Sequence, residues 1–496
     1  MKYTSTRGGG PAVESAAAIK QGLAPDKGLY MPLTIPKVDL GFTEELTSLS
    51  YAERAAKILS LFLTDFSYSE LLYSAERAYS EGKFDSFPAP IKDIGNGICV
   101  LELWHGPTSA FKDMALQIMP MLFSESIKKC NEDRRAIILV ATSGDTGKAA
   151  LEGYKDADGV YVKVFYPTDG VSNMQKRQMQ TQEGKNLSVC GIYGNFDDAQ
   201  GVVKEIFASE EFAEELNKRG FFLSSANSIN FGRLAPQIVY YFSAYADMCK
   251  NGIISLGEKI DVTVPTGNFG NIFAAFIAKK MGLPIDRLVC ASNENDVLTE
   301  FLTTGRYNSR RPFHATISPS MDILISSNLE RLIYTALGAK RCKELMESLA
   351  AKGEYTISEK ELELIRESFI GYSTNQAKCA ETMKKTYEEN KYLIDTHTAV
   401  ALSAASQYMN DYKAENKMLV VSTATPYKFA KDTLRAVFDK EADDEAAVEA
   451  LSKLSGVDIP APIKALANKP ILHSDVIKKD DMRSAALEFA DRINTP

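Results

Sequence analysis

Lys112 and the segments around it constrain this chain more than any other feature of the sequence. The apolar run 98–104 (ICVLELW) predicts a buried strand, Gly106 and Pro107 predict a turn, and the residues after Lys112 favour a helix. In α/β folds, ligands bind beyond the carboxyl ends of such strands. Partial burial lowers the pKa of a lysine amine, and the neutral amine is the form that condenses with an aldehyde. The alternative is a solvated surface lysine beside Asp113, the usual state of an isolated Lys–Asp pair.

Short β-branched, apolar runs recur along the chain, with amphipathic segments between them. The runs are continuously apolar rather than alternating, which is typical of parallel strands covered by helices on both faces. We therefore expect an α/β fold with open, mostly parallel sheets in two lobes and a helical N-terminal domain. The predicted strands are 98–104, 136–142, 160–166, 187–192, 260–265, 287–291 and 417–422.

Changes of pattern divide the chain into four parts. Residues 1–92 are expected to form a mainly helical N-terminal domain. A large α/β domain is expected from 93–135 together with 225–440, and a smaller α/β domain with three strands from 136–224. The acidic and proline-rich segment 441–496 is expected to be a helical tail packed on the large domain.

Composition excludes several classes of partner. The 57 basic and 65 acidic residues give a net charge of −8, so the chain lacks the overall basic character of nucleic-acid-binding proteins. No apolar run reaches the ~18–20 residues of a membrane span. The seven cysteines include no CxxC pair, and the four histidines form no HExxH motif. We therefore expect no metal, no nucleic-acid or membrane partner, and a reducing cytoplasmic location.

The motif PTGNFGN (265–271) closes one predicted strand and opens a helix. Its glycines allow the backbone to curl so that successive N–H groups point inward, and the helix start adds positive potential. This pattern favours a phosphate cradle over a plain turn with an Asn cap. The candidate phosphate ligands are Gly267, Asn268, Phe269, Gly270 and Asn271.

A second motif, TSGDTGK (142–148), offers hydroxyl groups at another predicted helix start and suits an anion such as a carboxylate. It is not a nucleotide P-loop, because Thr142 replaces the required glycine and Ala149 follows the lysine in place of Ser or Thr. A capped helix without a ligand is the alternative. The candidate ligands are Ser143, Asp145 and Thr146.

Two further motifs add polar groups near predicted strand ends. SANSINFGR (225–233) contains Ser228, Asn230 and Arg233, of which the guanidinium suits an oxyanion. STATPYKF (422–429) places the Thr423 hydroxyl after the last predicted strand. His105 and His397 are interpreted as structural histidines.

One amine, a phosphate cradle, a carboxylate site and a late hydroxyl are together what pyridoxal 5′-phosphate requires in an enzyme of amino-acid metabolism. We predict that the large domain binds this cofactor.

The motifs above closely resemble those of the threonine synthase family, pyridoxal-phosphate enzymes of fold type II (tryptophan synthase β-like). The resemblance runs from YTSTRGG (3–9) to STATPYKF and includes SNENDVLTEFLTTGRY (292–307) and SPSMDILISSNLERL (318–332). It implies that Lys112 bonds the cofactor, that 267–271 hold its phosphate and that Thr423 faces its ring nitrogen. It also implies that the 143–146 loop binds the substrate carboxylate, and we assign the substrate phosphate to Ser228, Asn230 and Arg233.

The chain departs from the family pattern at two motifs. STAHPAKF is usual where this sequence has Thr425 and Tyr427, and SINWAR is usual where it has Phe231 and Gly232. Thr423 is retained, so the contact with the ring nitrogen is expected to survive, while a substrate role of the missing histidine is lost.

The resemblance implies a lyase that converts O-phospho-L-homoserine and water into L-threonine and phosphate, by γ-elimination followed by β-addition of water. The alternatives are a phospho-lyase or dehydratase that releases a 2-oxo acid, and a catalytically inactive homologue that still binds the cofactor. We expect a monomer or a weak homodimer.

Overall fold

The computed structural model describes residues 1–84, 87–142, 144–168 and 171–494. In the N-terminal region β1 pairs antiparallel with both β2 and β3, and the helices α3 and α4 each begin with a capping box. The N-terminal elements are β1 (Lys2–Ser5), β2 (Val13–Glu14), α1 (Ser15–Gln21), β3 (Tyr30–Pro32), α2 (Leu40–Leu46), α3 (Tyr51–Ser60) and α4 (Tyr68–Ala78).

The rest of the chain alternates between strands and helices. The strands are β4 (Ile91–Asp93), β5 (Ile98–Glu102), β6 (Arg135–Ala141), β7 (Val160–Pro167), β8 (Leu187–Tyr193), β9 (Phe221–Ser224), β10 (Ile260–Pro265), β11 (Ile285–Ser292), β12 (Arg306–Asn308), β13 (Glu354–Thr356), β14 (Phe369–Ser373), β15 (Lys417–Ser422) and β16 (Val476–Lys478). The helices are α5 (Asp113–Leu116), α6 (Met119–Lys129), α7 (Asp145–Gly153), α8 (Asn173–Gln180), α9 (Phe196–Ala208), α10 (Glu210–Lys218), α11 (Phe231–Lys250), α12 (Gly270–Met281), α13 (Val297–Thr304), α14 (Leu329–Lys352), α15 (Glu359–Arg366), α16 (Gln376–Asn390), α17 (Thr396–Tyr412), α18 (Ala430–Phe438), α19 (Asp444–Ser455), α20 (Ala461–Lys464) and α21 (Met482–Asn494).

The larger sheet has the strand order β14-β11-β10-β15-β5-β4 among the described residues, and its strands are parallel except for β4 at one edge. Alternate residues face two separate cores. Val262 and Leu419 pack into a core shared with α11 and α12, whereas Val289 and Val420 pack into a core shared with α17. Helices therefore cover both faces, which explains why these strands are buried along most of their length.

The smaller sheet has the order β16-β8-β7-β6-β9 and is parallel throughout its described residues. The expectation of three strands in 136–224 was wrong, because β9 is a fourth. A fifth strand, β16, comes from the C-terminal tail and pairs with β8. This pairing covers what would otherwise be an exposed sheet edge.

The C-terminal tail was expected to pack on the large domain, and only part of it does so. α19 does pack there, against α18. Beyond it, β16 and α21 belong to the smaller domain, where Met482, Ala486 and Ala490 lie in the same core as Ile137 and Phe212. The physical reason is that β8 would otherwise have a free edge and that α9 and α10 present apolar residues. The distant segments β16 and α21 cover this edge and these residues.

The fold class expected from the sequence is confirmed. Each of the predicted strands is present within about two residues of its expected bounds, as the ranges above show. Strand β14 was not predicted, and it forms the edge of the larger sheet opposite β4. In the described ranges, no helix combines the length and apolar character that a bilayer crossing demands.

Candidate active site

The structure brings Lys112 and Thr423 to one edge of the larger sheet. Lys112 lies in the loop between β5 and α5, and Thr423 follows β15, the parallel neighbour of β5. The Phe111 N–H donates to the Thr423 carbonyl at 2.8 Å, and the Leu103 N–H donates to the Ser422 carbonyl at 3.0 Å. The two residues are thus held side by side where parallel strands end, as the sequence predicted.

Asp113 shapes the loop that carries Lys112. Its buried carboxylate accepts hydrogen bonds from the N–H and the hydroxyl of Thr108, both at 2.8 Å. A Cβ on Gly106 would lie 2.6 Å from an Asp113 oxygen, so only glycine fits there. Burial raises the pKa of Asp113 to about 6, although the Thr108 bonds oppose this shift. Asp113 is therefore a structural anchor, and Lys112 is not paired with it.

The Lys112 amine lies in a strongly charged, buried setting. The residue is 9% exposed, and its Nζ is 3.5 Å from Oδ2 of Asp145. Burial lowers the pKa of the amine to about 8. The Asp145 carboxylate acts in the opposite direction, and the Arg233 and Lys428 cations act together with burial. A large fraction of the amine is therefore neutral near pH 8, which is the reactive form.

Asp145, at the start of α7, is already held by protein groups. Its Oδ1 is 2.5 Å from Nζ of Lys428 and accepts a hydrogen bond of 2.8 Å from Nε2 of Gln175. Burial alone would raise the pKa of Asp145, but Lys428 and Lys112 hold it well below its ordinary value. Its carboxylate is thus the ion-pair partner of Lys428. Because it is negatively charged, it does not bind a substrate anion directly. Lys428 was missed by the sequence analysis.

The loop before α7 remains a candidate anion site. The Thr142 hydroxyl accepts hydrogen bonds from the N–H groups of Gly144, at 3.0 Å, and Gly147, at 2.9 Å. Gly144 has φ 137°, a conformation that favours glycine. Ser143, a predicted ligand, lies outside the described residues. Thr146 lies in the first turn of α7, where N–H groups lack partners within the helix.

The 265–271 loop, the candidate phosphate cradle, turns into α12, although neither Gly267 nor Gly270 has a positive φ. Phe269 is left-handed, with φ 63°, and α12 begins directly after it. The Asn328 N–H and side-chain amide both donate to the Asn268 carbonyl at 3.0 Å. A Cβ on Gly267 would lie only 2.7 Å from the Ser320 carbonyl oxygen. The loop is therefore rigidly held from outside and needs glycine at this position.

Asn271 tests whether this loop fits a phosphate. Its Oδ1 accepts hydrogen bonds from the hydroxyls of Tyr240, at 2.6 Å, and Tyr241, at 2.5 Å. Its Nδ2 is fully buried and has no partner in the protein. Buried donors are almost always paired, so this atom calls for an acceptor. An orphaned donor at a helix start, directly after the left-handed Phe269 and Gly270, fits the phosphate of pyridoxal phosphate.

Asn230 caps helix α11, whereas the sequence analysis assigned it to the substrate phosphate. Its Nδ2 donates to the carbonyls of Ile19, at 2.9 Å, and Ser225, at 3.1 Å. Its Oδ1 accepts from the Gly232 N–H at 2.9 Å and so caps α11. The side chain is completely buried, and both hydrogens of Nδ2 are used. An asparagine before a helix is read equally well as a cap or a ligand, and here it is a cap.

Arg233 remains a candidate anion ligand. One guanidinium nitrogen donates to the Ala226 carbonyl at 3.0 Å, while its Nε is buried without a partner. Burial lowers the pKa of Arg233 to about 10, and its charge acts on Lys112. Ser228 lies instead beside the 265–271 loop, because its Cβ is 3.7 Å from the position of a Cβ on Gly270.

Both candidate histidines have structural partners. Nδ1 of His397 is 2.8 Å from a carboxylate oxygen of Asp395, and its Nε2 accepts from the Ser320 N–H at 3.2 Å. His105 pairs with Glu102 at 2.8 Å and stacks on Trp104. These contacts agree with the structural interpretation of both.

The departures from the family motifs are also accommodated. Thr425 is buried, and its N–H donates to the Ser109 carbonyl at 3.3 Å. The hydroxyl of the buried Tyr427 donates to the Val457 carbonyl and so ties the tail to the large domain. Phe231 packs edge-on against Tyr3 of the N-terminal region, with ring centres 4.8 Å apart. Phe231 and Tyr427 thus alter packing, whereas Thr425 replaces the imidazole of the family motif by a hydroxyl.

Comparisons with known proteins agree with this geometry. A family model described as "Threonine synthase N terminus" matches residues 2–79, and one described as "Pyridoxal-phosphate dependent enzyme" matches residues 86–424. Threonine synthase of Pseudomonas aeruginosa is 37% identical over 445 residues, covering 88% of this chain and 90% of that protein. Threonine synthase-like 1 of Homo sapiens is 39% identical over 440 residues, covering 86% of this chain. The chain spans only 58% of the length of that relative.

Solved structures give the same result over the whole chain. The structure of pyridoxal-phosphate-bound threonine synthase from Brucella melitensis has a TM-score of 0.86 and 35% identity, covering 99% of each chain. The yeast threonine synthase structure has a TM-score of 0.87 and 32% identity, again covering 99% of each. The expected family and cofactor are therefore confirmed. This chain belongs to the threonine synthase family of pyridoxal-phosphate-dependent enzymes.

Proposed function

We propose that this chain converts O-phospho-L-homoserine and water into L-threonine and phosphate. One observation carries the proposal: Lys112, a buried amine of lowered pKa, lies 3.5 Å from the Asp145 carboxylate at the start of α7 and is acted on by the buried Arg233, in a chain of this family. Lys112 and Thr423, with residues 267–271, would hold pyridoxal phosphate. When bound, the cofactor supplies an electron sink that stabilises negative charge on the substrate's α-carbon.

Lys112 serves as the proton carrier of the reaction. Its amine is neutral in large part near pH 8, so Nζ accepts a proton from the substrate and later returns it. Burial excludes bulk water from this amine and keeps the proton within the site. One lysine therefore serves both the departure of phosphate and the addition of water.

The two anionic groups of the substrate bind at separate positions in the site. The α-carboxylate binds at the start of α7, where the N–H groups of Asp145 and Thr146 have no acceptor within the helix and Thr146 adds its hydroxyl. The γ-phosphate binds near Arg233, whose buried Nε lacks a protein partner. A guanidinium forms strong, directional hydrogen bonds to phosphate, so this contact also orients the leaving group.

Thr423 would offer a neutral hydroxyl to the ring nitrogen of the bound cofactor. A neutral partner would leave this nitrogen unprotonated, so that negative charge on the α-carbon would not be over-stabilised. This limits side reactions that would divert the substrate before water adds. The Phe111–Thr423 hydrogen bond keeps this group in register with Lys112.

A product assay tests the proposal. The protein loaded with cofactor is incubated with O-phospho-L-homoserine, and phosphate, threonine and 2-oxobutyrate are measured together. We expect equal amounts of phosphate and threonine. Phosphate with 2-oxobutyrate would replace the proposal by the phospho-lyase alternative. Cofactor binding without any product would point to an inactive homologue. Lys163→Met, a change of another buried lysine in the smaller sheet, is the matched control and should leave the products unchanged.

A further inference from the structure

Lys428 is a second buried lysine beside Lys112. It lies in a short 3₁₀ helix, Pro426–Phe429, that follows β15. Its side chain is fully buried, with Nζ 2.5 Å from Oδ1 of Asp145 and 3.1 Å from the Thr108 carbonyl. A lysine is almost never buried in this way unless it is paired, so its position depends on Asp145.

The Asp145 carboxylate bridges the two lysines. One oxygen contacts Lys428 and the other lies 3.5 Å from Nζ of Lys112. Lys428 follows β15 of the larger sheet, whereas Asp145 opens the helix that follows β6 of the smaller sheet. The Thr108 carbonyl that Lys428 also contacts belongs to the loop carrying Lys112. Lys428 therefore joins three segments at the junction of the two α/β domains.

The charge of Asp145 creates a problem that Lys428 resolves. Asp145 lies in the loop proposed to bind the substrate carboxylate, and two like charges in a buried site repel strongly. With Lys428 as its counter-ion, Asp145 contributes no net charge to the loop. Without Lys428, Lys112 would be its nearest cationic partner, and the ion pair would favour the unreactive, protonated amine.

We infer that Lys428 is a positioning residue that neutralises Asp145 and thereby leaves the Lys112 amine and the carboxylate loop free for the reaction. The charged groups that face Lys112 are Asp145, Arg233 and Lys428, and Lys428 also acts on the buried Asp113. The inference builds on the proposed function, but the titration of Lys112 can be measured whether or not the chain makes threonine.

The experiment measures the pH dependence of Lys112 labelling. The full chain, prepared without cofactor, is treated with trace acetic anhydride at pH values between about 6 and 11, a range that includes the ordinary pKa of lysine. Acetylation of Lys112 is then quantified by mass spectrometry. Lys163 serves as the internal reference, because it is also buried and its Nζ donates to the Ser188 hydroxyl at 3.2 Å. The variants are Lys428→Met, Lys428→Arg and the double variant Asp145→Asn/Lys428→Met.

We expect Lys428→Met to raise the labelling midpoint of Lys112 by about one pH unit, which is a tenfold loss of neutral amine at neutral pH. Lys428→Arg, which retains the charge, should stay close to the unchanged protein. The double variant should return the midpoint to its original value or below, because the attraction of Asp145 is also gone. In the loaded enzyme, Lys428→Met should raise KM for the phosphorylated substrate more than it lowers kcat.

An unchanged Lys112 midpoint in Lys428→Met, with only a lower unfolding temperature, would overturn the inference and leave Lys428 as a packing residue. If Lys428→Met does not fold, the double variant decides. Recovery of folding would support the pairing, because the uncompensated buried carboxylate is then removed. Failure of the double variant as well would overturn it. Absence of threonine formation with the expected shift in the midpoint would reject the proposed function alone.

Discussion

Replacing Asn271 by aspartate tests the phosphate site while preserving the surrounding packing. One carboxylate oxygen of the variant can accept the hydroxyl bonds of Tyr240 and Tyr241, as Oδ1 of Asn271 does at 2.6 Å and 2.5 Å. The other oxygen replaces Nδ2, the buried donor without a protein partner. The change therefore removes a donor and adds a negative charge at the position assigned to the cofactor phosphate.

The expected loss of affinity is large. A hydrogen bond to a charged group contributes about 1.5–3 kcal/mol. A carboxylate about 4 Å from a phosphate charge adds a repulsion of about 4 kcal/mol at an effective dielectric constant of about 20. Because each 1.4 kcal/mol is a factor of about ten, the two effects together should lower cofactor affinity by about 10⁴-fold or more.

Equilibrium titration with pyridoxal phosphate, followed by the visible absorbance of the bound cofactor, measures this loss. Tyr240→Phe is the matched control, because it removes one bond to Oδ1 without touching Nδ2. It should lower the unfolding temperature and leave cofactor affinity within a few-fold. An Asn271→Asp protein that binds the cofactor as tightly as the unchanged chain would refute the placement of the phosphate.

Further predictions address the remaining site residues. Lys112→Ala should fold, by circular dichroism, but lose both the visible cofactor band and turnover. In the unchanged protein, the rate of cofactor binding should rise with pH up to about 8, the lowered pKa of Lys112, and then level off. Stopped-flow absorbance measures this rate, and a rise that continues to pH ~10.5 would contradict the prediction. Gly267→Ala should weaken cofactor binding, measured by titration, because the new Cβ lies 2.7 Å from the Ser320 carbonyl. Asn230→Ala should cost about 1–2 kcal/mol in the free energy of unfolding, measured with denaturant, without changing cofactor affinity.

Local sequence pattern was sufficient for the strands that are long and buried. The β10 run IDVTVP is rich in β-branched residues and is followed by a glycine-containing turn, so its bounds could be predicted closely. Strand β16 has only three residues, Val476–Lys478, and becomes a strand because it completes the edge of β8. Such a pairing between distant segments leaves no periodic signal in the sequence. The short β9 was missed for the same reason.

The site could be predicted where one sheet edge collects residues from several strands. Lys112 and Thr423 were placed together because the carboxyl ends of parallel strands share an edge. Asn230 was assigned to a ligand because a helix-capping asparagine carries the same local signal. Lys428 was overlooked because a lone lysine in a polar motif is typically exposed. Its only signal was its place six residues after the last core strand residue, Ser422, in a motif otherwise assigned to the site.

Borohydride reduction of the cofactor-loaded protein tests the central claim most directly. Reduction fixes the bond between the cofactor and its amine, and peptide mass spectrometry then identifies the modified lysine. Two buried lysines, Lys112 and Lys428, lie beside Asp145, so reduction could in principle label either of them. We predict a pyridoxyl group on Lys112 only; its presence on Lys428, or on no lysine, would contradict the account.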